Sequence, residues 1–362
     1  MWHEFDAELP LDSASTLAAS CYLDAAWYAR EMETVFRRNW QPVARFQQLQ
    51  QSGEFVSGRF LDWPYVVVRD EQGELQAFYN VCQHHAAEVA QGVGVCQELV
   101  CPYHGWTYSL QGELSRAPQL GAVQNFQRET MRLPRISVQT AGPWVWLNFS
   151  PSPRPLADDF SPFHQYFQPT GYEGLTYYRR VEYEIACNWK VYVDNYLDGG
   201  YHVASVHRGL AAQLNLNAYR TELLPRGAMQ SCHAGSTNSS TAADFAERIG
   251  ESAWYAWVYP NLMINRYGPW MDTNWIVPLS AERTLTVFDY YFDASCTLPS
   301  LDFRERSLQA SDVVQQEDVL ICESVQRGLK SGAYSQGRYA MRELAEHHFH
   351  RLWWAEVNQV PT

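Results

Sequence analysis

Residues 80–108 read NVCQHHAAEVAQGVGVCQELVCPYHGWTY, a stretch holding Cys82, Cys96 and Cys101 together with His84, His85 and His104. Cys82-x-His84 and Cys101-x2-His104 make two short chelating pairs, separated by residues 85–100, with Gly92, Gly94, Pro102 and Gly105 nearby to turn the chain. Eight cysteines scattered over 362 residues are too few for a disulfide scaffold, and clustered with histidine they point to metal. Structural zinc accepts two Cys and two His, but usually as Cys–Cys and His–His pairs. A [2Fe–2S] cluster can instead take both thiolates on one iron and both imidazoles on the other, which raises its potential and suits an electron store. Cys96 and His85 fall outside the pairing and read as an ordinary thiol and a bystander.

A second constellation lies downstream. In NWKVYVDNYLDGGYHVASVH (188–207), His202 and His207 have four residues between them and stand beside Asp194, Asn195 and Asp198. The run SDVVQQEDVLICESVQRGL (311–329) adds Asp312, Glu317 and Asp318. Two imidazoles and one carboxylate on one face of a metal leave positions open for O2, the ligand set of non-haem Fe(II) oxygenases. A lone H-x4-H is as readily structural. Its presence in the same chain as the Cys–His pairs favours the iron.

Several elements must position these residues. The segment 13–40 predicts two short helices. From 41 to 149 short alternating runs such as FVSGRF, YVVVRD and WVWLNF, punctuated by Gly and Pro, predict a small all-β module. PSPRPLADDFSP (151–162) reads as a Pro-rich linker. Beyond it come strands, a helix starting near Trp189, strands over 253–293 and a long amphipathic helix over about 302–330. The expected fold class is α+β, with N-terminal helices (1–40), a small all-β module (41–150) and an α+β second domain (151–362).

The spacing of Cys82, His84, Cys101 and His104 and the CPYHGW context resemble the Rieske signature. The whole chain resembles the Rieske non-haem iron oxygenase α subunits. That resemblance implies a Rieske [2Fe–2S] domain, a helix-grip catalytic domain (antiparallel sheet with helices) in 151–362 on which the N-terminal helices pack, and a mononuclear Fe(II) held by His202, His207 and Asp318. Glu317 and Asp312 are the fallback carboxylates, and Asn195 matches a polar residue that approaches the iron in relatives. It also implies a head-to-tail homotrimer in which an acid links the iron site to a Rieske histidine of the neighbouring subunit. Many relatives carry that acid three places before the first iron histidine, where this chain has Gly199. The role is therefore assigned to Asp198, with Asp194 as rival. O2 and electrons from a ferredoxin or flavin-dependent reductase complete the implied reaction.

Seven of the 22 residues in WYAWVYPNLMINRYGPWMDTNW (254–275) are Trp or Tyr. Tyr255, Trp257, Tyr259 and Trp270 could form an aromatic box for a quaternary ammonium, bound by cation–π attraction, with Asp272 or Glu182 adding an ion pair. The words DNYLDGGYHV, YPNLMINRYGPWMDTN, CESVQRGL and GRYAMRELAEHHFH resemble the choline monooxygenases and their bacterial relatives more than the aromatic-ring dioxygenases. Oxidation of choline to betaine aldehyde is the implied reaction, with N-demethylation of glycine betaine, proline betaine or a carnitine-like compound as the alternative. A non-catalytic Rieske electron carrier is the alternative from another class. The C-terminal HHFH (His347, His348, His350) reads as surface or subunit-contact histidines rather than a third metal site. Arg69, Arg116 and Arg128 read as solvated charges, with docking of an acidic ferredoxin as the alternative.

The charge balance excludes other classes. With 27 Lys and Arg against 40 Asp and Glu, the net charge is −13, which argues against a nucleic-acid binder. No apolar run is long enough to predict a transmembrane helix. The start lacks a basic region followed by an apolar one, so a cytoplasmic protein is expected, or an organelle stroma if a leader has been removed.

Overall fold

The structure is a computed structural model describing residues 5–211, 214–233, 252–293 and 300–359. The chain divides into two compact units, one of residues 37–157 and one of 1–36 with 158–362.

The first unit is all β. Strands β2 (Glu54–Phe60), β3 (Trp63–Arg69), β4 (Leu75–Tyr79) and β5 (Val93–Val95) form one sheet in the order β4-β3-β2-β5. Strand β1 (Gln41–Arg45) pairs with β10 (Trp144–Asn148), which pairs with β9 (Ser137–Ala141). A third small sheet holds β6 (Leu99–Val100), β7 (Thr107–Tyr108) and β8 (Leu114–Arg116). Its alternating sequence buries Val66, Val68, Phe78, Tyr108 and Leu114 in a core that also takes in Cys82 and Cys101. The loops that carry the Cys–His pairs therefore grow out of a packed base.

The second unit is built on a seven-stranded antiparallel sheet in the order β11-β17-β16-β15-β14-β13-β12. Its strands are β11 (Thr176–Ile185), β12 (Arg220–Leu224), β13 (Gly227–His233), β14 (Ser252–Val258), β15 (Leu262–Tyr267), β16 (Trp270–Ser280) and β17 (Arg283–Phe292). The helices among the described residues are α1 (Ala19–Leu23), α2 (Ala25–Glu31), α3 (Leu156–Phe167), α4 (Trp189–Leu197), α5 (Arg208–Ala211), α6 (Leu301–Lys330) and α7 (Leu344–Val357). Helix α4 packs on β16 and α6, and α7 packs on β12 and β13. The α+β class expected from the sequence is what the chain adopts. None of these helices is long and apolar enough to cross a membrane.

Local sequence explains the elements that matter for the site. Asn188 caps α4 by accepting a hydrogen bond from the Lys190 backbone N–H at 3.0 Å. The helix stops because Gly199 and Gly200 both adopt left-handed φ values of 68° and 73°. Ser300 caps α6 by accepting from the Phe303 N–H at 3.1 Å. Two expectations fail. Residues 151–162 contain the boundary between the two units, at 157/158, but are not a linker throughout, because α3 begins at Leu156 and runs through Pro162. Leu156, Phe160 and Phe163 are buried, so apolar packing outweighs the proline. The HHFH histidines are not on the surface either, since α7 turns its apolar side inward and buries His347 and His350.

A buried charged hub joins the terminal helices of this unit. Glu31, at the end of α2, and Lys190, in the first turn of α4, form an ion pair with both side chains fully buried. The other donors to Glu31 are the indole N–H groups of Trp189 and Trp353, each at 2.8 Å. The Lys190 ammonium lies 5.2–5.4 Å from the ring centroids of Tyr22, Trp189 and Trp353.

Candidate metal centres

The two Cys–His loops have the same backbone. The Cys82 N–H donates to Ala87 O at 2.8 Å and Cys82 O accepts from the Ala86 N–H at 2.9 Å. Likewise the Cys101 N–H donates to Trp106 O at 2.8 Å and Cys101 O accepts from the Gly105 N–H at 3.0 Å. Each loop closes through a left-handed residue four places after its cysteine, Ala86 (φ 61°) and Gly105 (φ 71°). This repeated turn buries both thiols and leaves both imidazoles at the surface.

His84 Nδ1 and His104 Nδ1 are 3.1 Å apart, and the His84 ring stacks on Trp106 with 4.7 Å between centroids. Desolvation, then His85 and His104, lower the pKa of His84, which keeps it neutral as a ligand must be. Burial, and contact with Cys82, raise the pKa of the Cys101 thiol. The donors are thus sorted into a buried thiol pair and an exposed imidazole pair. Among the described residues, two sets of three or more ligand atoms lie within 4.8 Å of one another, and these four residues supply neither. That two-ended arrangement fits a two-iron cluster and not a single tetrahedral zinc. The backbone N–H of Cys96 bonds to Gly53 O, while the exposed His85 ring lies beside the imidazole pair, 4.1 Å from the His84 ring between centroids and 5.4 Å from that of His104.

Tyr108 was not foreseen. Its buried hydroxyl lies 3.3 Å from Cys82 Sγ and accepts the Gln83 N–H at 2.9 Å. A hydrogen bond to a ligand sulfur stabilises the reduced cluster, so removing it lowers the potential. For Tyr108→Phe we expect a loss of about 1 kcal/mol, roughly 40 mV for one electron. Protein-film voltammetry of the cluster is the measurement, and an unchanged potential contradicts the assignment.

In the second unit, His202, His207 and Asp318 come together. His207 Nε2 is 3.0 Å and His202 Nε2 3.9 Å from the same Asp318 Oδ1. The far nitrogens are held by carboxylates: His202 Nδ1 is 2.6 Å from Asp198 Oδ2, and His207 Nδ1 is 2.7 Å from Glu317 Oε2. Those contacts fix both rings with Nε2 turned to the common centre, the arrangement usual for metal-bound histidine. Asn195 donates to Asp318 Oδ1 at 2.7 Å. Burial opposes a charged His207, but Asp318 and then Glu317 outweigh it and raise its pKa. The centre is built for positive charge, and its N2O donor set suits ferrous iron.

The rival acids separate clearly. Glu317 orients His207 and does not face the centre, while Asp312 accepts from Tyr183 OH at 2.8 Å on the exposed side of α6. Asp194 is engaged by Tyr22 and His350. Asp198 also accepts the backbone N–H groups of Tyr201 and His202, at 3.0 and 2.7 Å. The left-handed Gly199–Gly200 turn makes this reach possible. A Cβ on Gly199 would lie 2.2 Å from Arg342 O.

A cavity of about 120 Å³ opens beside the centre, lined by His202, His207 and Asp318 together with Asn195. Its far wall is a row of sheet partners, Gln230, Tyr255, Asn265 and Asp272, in register across β13 to β16. Asp272 is 2% exposed and accepts from the amides of Asn265 and Asn274 at 2.7 and 2.9 Å. Tyr219, Tyr255 and Tyr267 form a chain of rings, at 6.3 and 5.7 Å between successive centroids.

Of the four proposed box residues, only Tyr255 lines the cavity. Trp257 packs on Phe349 of α7, Tyr259 donates to Glu356 Oε2 at 3.0 Å, and Trp270 stacks on Tyr267 in an apolar cluster with Phe303 of α6. Glu182 is exposed on β11 and does not line the cavity. Sequence reasoning missed two rings: Tyr219 carries no motif, and Tyr267 stands in the aromatic stretch 254–275 without being singled out. Arg69, Arg116 and Arg128 in the other unit are tied into local contacts, with Leu49 O, Glu98 and Ser115 O respectively.

Comparison with known proteins gives the same picture. Residues 39–127 match the Rieske [2Fe-2S] domain, and residues 172–359 match the ring hydroxylating alpha subunit catalytic domain. The chloroplastic choline monooxygenase of Arabidopsis thaliana is 44% identical over 360 residues, covering 96% of this chain and 84% of that protein. The carnitine monooxygenase oxygenase subunit of Acinetobacter pittii is 30% identical, covering 90% of this chain and 89% of that one. A quaternary ammonium Rieske monooxygenase crystallised with L-carnitine superposes with a TM-score of 0.85 at 26% identity, covering 99% of this chain and all of that one. Family, fold and donor sets agree: the chain belongs to the Rieske non-haem iron monooxygenases, which carry a [2Fe–2S] cluster and a mononuclear iron.

Proposed function

We propose that this enzyme oxidises choline to betaine aldehyde. Cys82, His84, Cys101 and His104 hold its [2Fe–2S] cluster, and His202, His207 and Asp318 hold its iron. The observation that carries the substrate is the charge of the cavity: Asp272 and five tyrosines line it, and its described lining includes no Lys or Arg. A trimethylammonium group fits such a wall through cation–π attraction and the carboxylate. A betaine or carnitine carboxylate would find no cationic partner there and would meet Asp272.

Iron bound by the triad supplies O2 activation, with electrons from the cluster, and the net reaction consumes O2, two electrons and two protons per choline. The chain's own residues set the geometry. Asp198 and Glu317 keep the two imidazoles oriented, and Asn195 steadies Asp318. Gln230 Oε1 and Gln315 Nε2 are buried in the cavity lining with no hydrogen-bond partner among the described residues. As acceptor and donor they suit a substrate hydroxyl. Holding that hydroxyl while Asp272 holds the ammonium presents the carbinol carbon, and the aldehyde hydrate then loses water.

Electrons reach the cluster from a ferredoxin or flavin-dependent reductase in this reading. The unit is a homotrimer placed in the cytoplasm or an organelle stroma, and the cluster domain spans residues 41–150. Asp198 is the acid between neighbouring metal sites; its contact with His202 Nδ1 favours it over Asp194. The test is turnover of choline, glycine betaine, carnitine and proline betaine by reduced enzyme under O2. Betaine aldehyde without formaldehyde is expected, and stoichiometric formaldehyde sinks the proposal. For Asp272→Asn, loss of a charged partner worth about 1.5–3 kcal/mol is expected to raise KM for choline roughly 10–100-fold, with a smaller change in kcat. Steady-state kinetics on the iron-replete variant checks this, and an unchanged KM removes Asp272 from the site.

A further inference from the structure

A second cluster of ligand atoms lies in the same unit, away from the iron triad. Asp194 on α4 and Glu346 and His350 on α7 each place one ligand atom within 4.8 Å of the others. His350 is fully buried and Glu346 is 8% exposed. A separate cavity of about 440 Å³ opens onto both acids, walled by apolar side chains such as Val191, Ile321 and Leu329.

Glu346 is the telling residue. Its carboxyl lines that cavity and makes no hydrogen bond or ion pair to any described residue. Two acids that shared a proton would close to roughly 2.5–2.7 Å, yet Asp194 and Glu346 are near each other without such a bond. Ligand atoms within 4.8 Å of one another can be bridged by a common cation. The other two ligands are already oriented. Asp194 Oδ2 accepts from Tyr22 OH at 2.7 Å, and His350 Nδ1 is 2.6 Å from Tyr339 OH, which leaves Nε2 for the centre. His350 Nε2 is 2.9 Å from Asp194 Oδ1 and 3.3 Å from Tyr22 OH.

We propose that Asp194, Glu346 and His350 form a second divalent-metal site, taking a cation of the zinc or manganese type. One imidazole and two carboxylates suit such ions better than calcium or magnesium, which prefer all-oxygen shells. The cavity provides the entry path and room for water to complete the shell. The ion would pin α4 to α7 one residue from Asn195, which bonds Asp318, so its role is to brace the iron site. That places a metal on the HHFH segment after all, through His350 alone.

The test is equilibrium dialysis of the anaerobic holoenzyme against Zn2+, with zinc and iron measured together. The expected result is one zinc per chain bound while the iron content is retained. Asp318→Ala should keep this zinc, which separates the site from the iron triad. Glu346→Gln, nearly isosteric, should weaken zinc binding at least about a hundredfold, and Tyr339→Phe about tenfold through the ring orientation. The visible spectrum of the cluster and near-UV circular dichroism report whether the variants are folded. No zinc bound by wild-type enzyme with its iron intact overturns the proposal, whatever the variants do. Equal zinc binding by folded Glu346→Gln overturns it as well.

Discussion

Asp318→Ala is expected to abolish turnover while leaving the cluster's visible spectrum intact. Three contacts converge on that carboxylate: two imidazole nitrogens at 3.0 and 3.9 Å and the Asn195 amide at 2.7 Å. Removing it leaves two neutral ligands, too few to hold ferrous iron against solvent. We expect the mononuclear iron to be lost and activity to fall at least about 10³-fold, equivalent to about 4 kcal/mol or more of barrier. Glu317→Gln should be milder, weakening iron about 10–100-fold by loosening His207 without removing a ligand. Iron analysis beside product formation reads both variants. A non-catalytic electron carrier predicts that neither matters, so full function in Asp318→Ala would falsify the oxygenase reading at this site.

The second large effect concerns stability. Glu31→Ala takes the partner from Lys190 and from two indole N–H groups, all of them buried. Breaking a buried ion pair by removing one member typically costs about 3–5 kcal/mol, because the remaining charge has no compensation. Lys190→Met should cost less, since Glu31 keeps both indole donors. The double variant Glu31→Leu with Lys190→Met should be more stable than Glu31→Ala alone, because no charge is then stranded. At roughly 2–4 °C per kcal/mol for a unit of this size, the Glu31→Ala midpoint should fall by about 6–20 °C. Differential scanning calorimetry at fixed cofactor content is the check, and a fall of under about 2 °C removes the hub from the stability account.

These two cases show what a sequence displays and what it hides. Cys82, His84, Cys101, His104, His202 and His207 are legible because their spacing is local and their chemistry is narrow. Asp318 lies 111 residues past His207, and its carboxylate is one of several on α6. Nothing local separates it from Glu317; the helix phase does, turning one acid to the centre and its neighbour to the far side of an imidazole. Glu31 and Lys190 gave no signal, since a Glu near a helix end and a Lys in a first turn are ordinary surface residues until tertiary packing buries them.

The aromatic box illustrates a subtler limit. Tyr255, Trp257 and Trp270 do share one sheet face, since Tyr255 and Trp257 alternate on β14 and Trp270 shares its parity with Asp272 on β16. Whether a residue on that face lines a cavity or fills a core depends on where the covering helices lie. Phe349 of α7 covers Trp257, and Phe303 of α6 closes over the end of the sheet near Trp270. Between them the row from Gln230 to Asp272 is left open. Periodicity gives the face, but the extent of cover is a tertiary property.

The Gly199–Gly200 turn bears on how such sites diverge. An acid four places ahead of His202 reaches that imidazole here through two consecutive residues of left-handed backbone. Moving the acid one place closer by Gly199→Glu would drive a Cβ into Arg342 O at 2.2 Å while Asp198 stayed in place. Replacing either glycine would strain the left-handed turn that carries Asp198 to His202. The two placements are therefore separated by intermediates that are worse than both, and exchange between them requires the whole turn to be replaced at once. A lineage that has taken one placement is held to it by backbone geometry.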